Sequence, residues 1–189
     1  MMFKSTNLQT ALGMGVVDAS AAINTGTMND KGLFWGNTSS KTVGVKAFGM
    51  ENLWGNVFRR IAGWGYKGGK QYLKLTRGTK DETSATDYNT DGTGYLQVSA
   101  TVDTNGYISV MQTQRYGRLP LTCLGSATTY EADQVLRGTN TSNYYYAQVG
   151  GYHSTDLGAG PFYVNLGVRT TSTQVYIGAA LSCKPLATA

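Results

Sequence analysis

Apolar and polar positions alternate with a period of two over several short stretches, separated by glycine, asparagine and aspartate. Residues 71–76, 95–99, 107–111, 162–166 and 175–181 read this way and are predicted strands. Turn chemistry at Asn89–Gly92 and Asn105–Gly106 separates them. One segment has a different period. Over residues 51–64, Leu53, Val57, Phe58, Ile61 and Trp64 fall on one side of a helical wheel with Arg59 and Arg60 turned away. This spacing predicts a short helix weakened at Gly55 and stopped at Gly63, and a weaker helix signal lies at Asn7–Leu12. Residues 137–160 lack apolar periodicity and are expected to form a long ordered loop, the kind of segment on which recognition residues sit. The pattern predicts an α+β fold, a mostly antiparallel sheet with one or two helices, in a single domain over residues 1–189.

Composition narrows the function. The chain has 189 residues with 25 Gly, 13 Tyr, 41% hydrophobic and 14% charged residues. So many aromatics exclude a disordered chain, and no apolar run reaches the roughly 20 residues of a membrane span, so no membrane insertion is expected. The net charge of +5 comes from scattered Lys and Arg, not from a dense basic face, and argues against nucleic acid as a partner. Cys123 and Cys183 exclude a paired-cysteine metal or redox motif; they admit one disulfide without requiring it, and two reduced thiols are expected. The first residues carry no apolar signal segment, so the chain is expected to act where it is made or to derive from a longer protein.

Chemistry-bearing motifs are few. His153 stands in a polar stretch with no neighbouring nucleophile, and no zinc-protease, hydrolase-elbow or phosphate-loop motif is present. Asp87, Asn89, Asp91 and Gly92 match the first half of a calcium loop, but Val98 stands where the bidentate Glu belongs, so a turn is expected. No catalytic residue, metal or cofactor is predicted. The sharpest feature is Tyr144-Tyr145-Tyr146 with Tyr152, flanked by small polar residues, a mixture that supplies large, rigid contact area and adaptable hydrogen bonds. At least one of the three consecutive tyrosines is expected to be buried and the others exposed.

The run Phe48-Gly-Met-Glu-Asn-Leu-Trp-Gly-Asn-Val57 resembles the Gly-x-Glu-Asn-aromatic-Trp-Gly-Asn-Val signature of C-type lectin-fold proteins related to formylglycine-generating enzymes. Residues 159–166 and 176–181 resemble the closing strands of the variable proteins of diversity-generating retroelements, found in phage tail tips and bacterial surface proteins. Phe58-Arg59-Arg60 replaces the Trp-Glu-Trp of the enzymes, their C-terminal cysteine pair is missing, and the calcium-and-sugar motifs of lectins are absent. The resemblance therefore implies a C-type lectin fold with a recognition surface diversified by adenine replacement during copying, which turns Asn codons into Tyr, Ser, Thr, Asp, His and others. It implies ligand contacts at Asn143, Tyr144, Tyr145, Tyr146, Gln148, Tyr152, His153, Ser154, Thr155, Asp156, Arg169, Thr171 and Tyr176, with Gly150, Gly151, Phe162, Tyr163 and Ile177 as scaffold. The implied partner is a host-cell surface protein or glycan, met by a phage tail or bacterial surface, alongside other tail or surface subunits, and the resemblance admits an oligomer. A divergent formylglycine-generating-type enzyme and a structural tail or baseplate subunit stand as alternatives.

Overall fold

The computed structural model of the protein describes residues 12–75, 88–98, 102, 104–115, 117–126 and 133–178. Asn7–Ala11, Asp87, Cys183 and the ends of three predicted strands lie outside them. The elements in chain order are β1 (Lys46–Ala47), β2 (Met50–Glu51), β3 (Phe58–Lys67), β4 (Lys70–Leu73), β5 (Leu96–Val98), β6 (Gly106–Tyr107), β7 (Val110–Gln114), β8 (Gly117–Thr122), β9 (Gln134–Arg137), β10 (Tyr145–Val149), β11 (Val164–Arg169) and β12 (Ile177–Gly178). A single 3-10 turn, Asp156–Gly158, is the only helical element among the described residues. An eight-stranded curled sheet in the order β5-β4-β3-β10-β11-β9-β6, with β12 added against β3, organises the molecule. Two small hairpins, β1-β2 and β7-β8, flank it.

This overturns the α+β expectation, and with it the C-type lectin fold drawn from the resemblance. The predicted helix over 51–64 is a run of turns followed by the long strand β3. Asn52, Gly55 and Asn56 have φ of 53°, 70° and 65°, a left-handed backbone that no α-helix tolerates. From Phe58 onward the chain pairs with β4, β10 and β12, so intersegment ladders replace the helical hydrogen bonds. The apolar stripe is nonetheless scaffold: Trp54 is fully buried against Val45 and Ala47, and its indole N–H donates to the Gly13 carbonyl at 3.0 Å.

The motif around it ties the irregular N-terminal region to the sheet. The Glu51 carboxylate accepts the backbone N–H groups of Gly26 and Met28. The Asn56 amide exchanges two hydrogen bonds with the backbone of Ile23. Side-chain amides can thus hold a loop that has no ladder of its own.

The expected loop over 137–160 contains the strand β10, paired antiparallel to both β3 and β11. Its side chains alternate between two covered faces, which hid the strand period in the sequence. Tyr145 and Ala147 enter the main core with Tyr66, Ile108, Val135, Val164 and Leu166. Tyr144 and Tyr146 turn to the other face and pack edgewise or tilted on Tyr72 and Tyr88, with centroids 5.9 and 4.5 Å apart. Two glycines make the room: a Cβ at Gly65 would lie 1.9 Å from the Tyr144 hydroxyl, and one at Gly138 would lie 2.1 Å from the Tyr145 ring.

A register shift follows Tyr146, and beyond it Gln148 lies opposite both Arg60 and Asn165. Directly opposed residues of antiparallel strands share a face, so Arg60, Gln148 and Asn165 form one row across the sheet, on the face away from the main core. Over this row the chain from β11 to β12 crosses back, held by the Arg60 guanidinium, which donates to the carbonyls of Thr170 and Ser172 and stacks 5.2 Å from the Tyr88 ring centroid.

Candidate functional site

On the outer face of β9 and β11, a cleft of about 320 Å³ opens between the loop after β10 and the segment that returns to β12. It is lined by the rings of Phe58, Tyr152, Tyr163 and Tyr176, the polar side chains of Gln134, Ser154, Thr155 and Asn165, and Leu136 and Val168. The four rings touch: Phe58 lies 4.8 Å from Tyr152, 5.7 Å from Tyr163 and 6.1 Å from Tyr176, and Tyr152 lies 4.5 Å from Tyr176. Offset and edge-on pairs at these distances are the favoured aromatic geometries.

Backbone hydrogen bonds fix the walls before any ligand arrives. The Tyr152 N–H donates to Thr155 Oγ1 and the Thr155 N–H to the Tyr152 carbonyl, closing a tight turn. The His153 N–H donates to the Asn56 carbonyl, and its ring Nδ1 lies 3.0 Å from the Ala19 carbonyl. Asp156, at φ 57°, donates its N–H to the Val17 carbonyl and receives the Lys41 ammonium at 2.5 Å. On the opposite wall the Phe58 N–H donates to the Tyr176 carbonyl. Such preorganisation lowers the ordering cost of binding.

The polar groups facing the cleft are unspent. The phenols of Tyr152, Tyr163 and Tyr176, the Gln134 amide and the Ser154 hydroxyl have no hydrogen bond with any described residue, and Asn165 uses only its Oδ1, accepting from the Gly167 N–H. Tyr163 is 1% exposed, and burial pushes its phenol well above the usual range, with Tyr152 adding to the shift, so it remains a neutral donor. No charged side chain among the described residues lines the cleft. Among the described residues no three His, Cys, Asp or Glu side chains gather as a metal site, and no helix is long and apolar enough to cross a membrane.

The predicted contact residues divide sharply. Tyr152, Ser154, Thr155 and Tyr176 meet in the cleft. Tyr144, Tyr145 and Tyr146, at 5%, 5% and 1% exposure, are all interior, which corrects the expectation that only part of the triplet would be buried. Gln148 is buried too, its amide without a hydrogen-bond partner among the described residues. The reason is topological: β10 is an inner strand covered on both faces. Asn143 is half-buried beside the Tyr145 hydroxyl, while Arg169 and Thr171 are exposed at the end of β11. His153 and Asp156 act as pins of the loop backbone, outside the cleft lining.

Phe58, Gln134, Leu136, Tyr163, Asn165 and Val168 were not legible as lining residues, since they come from β3, β9 and β11 and from the residue just before β11, segments separated in the chain. Their strand periodicity was the only available signal. On the far side of the returning segment, Arg60, Tyr88, Ser172, Thr173 and Gln174 border a smaller hollow of about 230 Å³, where the only cation is already committed to the Thr170 and Ser172 carbonyls. The half-loop at Asn89 is a turn in which the Asn89 carboxamide oxygen accepts the N–H groups of Asp91 and Gly92, with positive φ at Gly92.

No protein-family model, curated protein or solved structure matches the chain.

Proposed function

We propose that the protein is a recognition domain whose work is non-covalent binding in the Phe58–Tyr152–Tyr163–Tyr176 cleft, as in the host-surface recognition by a phage tail or bacterial surface protein that the sequence resemblance implies. The observation that carries this reading is an aromatic cleft whose phenols, Gln134 amide and Asn165 Nδ2 make no hydrogen bond with a described residue. A concave apolar surface with a few open polar groups is the usual form of a ligand site. The lining has no ion cluster and no nucleophile beside a base, so the cleft is suited to holding a ligand and not to transforming it.

The test is adsorption of the fluorescently labelled domain to bacterial envelopes, comparing the natural chain with Tyr152→Ala plus Tyr176→Ala. Retained thermal stability with lost adsorption is expected. Adsorption unchanged in a folded double variant removes the cleft from the function.

A second reading, a structural subunit, has one observation of its own. Leu33, Phe34, Phe48 and Met50 are exposed together at the β1-β2 hairpin, where Phe34 and Phe48 meet edge to face at 5.0 Å and Phe48 holds a φ of 53°. A side chain held in that region is strained, and an exposed apolar cluster marks a contact surface. Light scattering across a concentration series tests it: a stable oligomer that Phe48→Asn dissociates favours the subunit reading, and a monomer at all concentrations removes it.

A further inference from the structure

We infer that the cleft takes a single neutral saccharide ring, the pyranose unit of a glycan. This inference rests on the binding role proposed above and names the ligand class for that same site. The argument is one of matching surfaces. A pyranose presents an apolar C–H face and an edge of hydroxyls. The cleft lining combines the rings of Phe58, Tyr152 and Tyr176 with the Gln134 and Asn165 amides and the Ser154 hydroxyl. The electron-rich face of a tyrosine ring attracts polarised C–H groups, and amides both donate to and accept from vicinal hydroxyls.

Other ligand classes fit less well. A charged ligand would enter a lining that offers it no counter-charge, and an unpaired buried charge is costly. A flat aromatic side chain would satisfy the rings but leave Gln134, Asn165 Nδ2 and the Tyr163 phenol desolvated without partners, and unmade hydrogen bonds of buried groups count heavily against binding. An extended peptide adds naturally to a sheet edge, whereas the cleft lies over β9 and β11, both paired on two sides. The volume of about 320 Å³ lies at the small end of ligand sites and suits one ring.

Saturation-transfer NMR on the intact chain tests the assignment, with the methyl glycosides of glucose, galactose, mannose and N-acetylglucosamine as probes and a neutral Gly-Tyr-Gly amide as competitor class. At least one glycoside should receive saturation through its ring C–H protons. Its affinity should fall by about thirtyfold in Tyr152→Ala, the scale of losing an aromatic anchor, and by less in Tyr152→Phe, which keeps the ring and removes only the open phenol. Gln134→Leu, which keeps the wall's size and removes its hydrogen bonds, should also abolish transfer with an unchanged melting temperature. No transfer to any glycoside at tens of millimolar, or transfer that survives both Tyr152→Ala and Gln134→Leu, overturns the saccharide assignment. Envelope adsorption distinguishes the two levels: adsorption that resists periodate oxidation of the envelope yet is lost in Tyr152→Ala keeps the binding role and rejects the saccharide, whereas adsorption indifferent to Tyr152→Ala rejects the role itself.

Discussion

The molecule uses tyrosine in two ways within a few tens of residues. In the interior group, Tyr144, Tyr145 and Tyr146 are covered by Tyr66, Tyr72 and Tyr88, and the hydroxyls of two of them are hydrogen-bonded: Tyr146 accepts the Asn89 N–H at 3.2 Å, and Tyr145 lies 3.4 Å from both the Asn143 amide and the Asn140 carbonyl. In the cleft group, Tyr152, Tyr163 and Tyr176 touch one another or Phe58 just as closely, but their phenols meet no described residue. Ring packing is therefore common to both groups, and what separates them is place: the interior rings stand at the inner strand β10, covered on both faces, whereas the others border the cleft.

The largest effect should come from removing an interior ring. Tyr146→Ala and Trp54→Ala should each lose about 3–5 kcal/mol in denaturant unfolding, the cost of truncating a buried aromatic. A loss below about 1 kcal/mol for Tyr146→Ala would erase the distinction between the groups.

Arg60 links the two, stacking on Tyr88 while holding the segment that carries Tyr176. Arg60→Met should cost about 1.5–3 kcal/mol, the range for hydrogen bonds from a charged donor, and should weaken ligand binding as the wall loosens. Chemical unfolding together with hydrogen exchange at residues 170–176 reads both consequences.

Truncating a cleft ring is a smaller structural event. Tyr152→Ala should destabilise by about 1 kcal/mol, the contribution of an aromatic pair at a half-buried position, while binding is lost. A calorimetric melt lowered as far as that of Tyr146→Ala would place Tyr152 with the interior group.

The smallest effect concerns the pin behind the cleft. Asp156 beside Lys41 holds the ammonium above its ordinary pKa, so the pair's stabilisation is complete below the unfolded lysine value and fades as pH rises through the higher folded one, above about pH 10. Because the pair is largely exposed, Asp156→Asn should cost no more than about 1 kcal/mol at neutral pH, with the difference from the natural chain shrinking in alkaline melts.

Each period-two segment read in the sequence overlaps a strand of the structure, because alternate side chains of a strand point to opposite faces of its sheet: Gln71–Leu73, Leu96–Val98 and Val164–Leu166 are examples. The same rule explains what was missed. With both faces of β10 covered, aromatic and small residues run together, and Tyr144–Val149 looked like a polar loop. In β3, glycines at 63 and 65 among aromatics mimicked the spacing of a helix, and nothing local revealed that Asn52 and Asn56 would take a left-handed backbone.

For the site, composition drew attention to residues 143–176, and four of the residues named there, Tyr152, Ser154, Thr155 and Tyr176, do line the cleft. What the chain determined by itself was a β-rich, tyrosine-dense molecule with few charges, since residue type and period are local quantities. Which tyrosines became core and which became surface was decided by strand order alone. Pairing β10 between β3 and β11 buries its side chains on both faces, and bringing Phe58 under Tyr152, Tyr163 and Tyr176 assembles a cleft from segments that share no local signal.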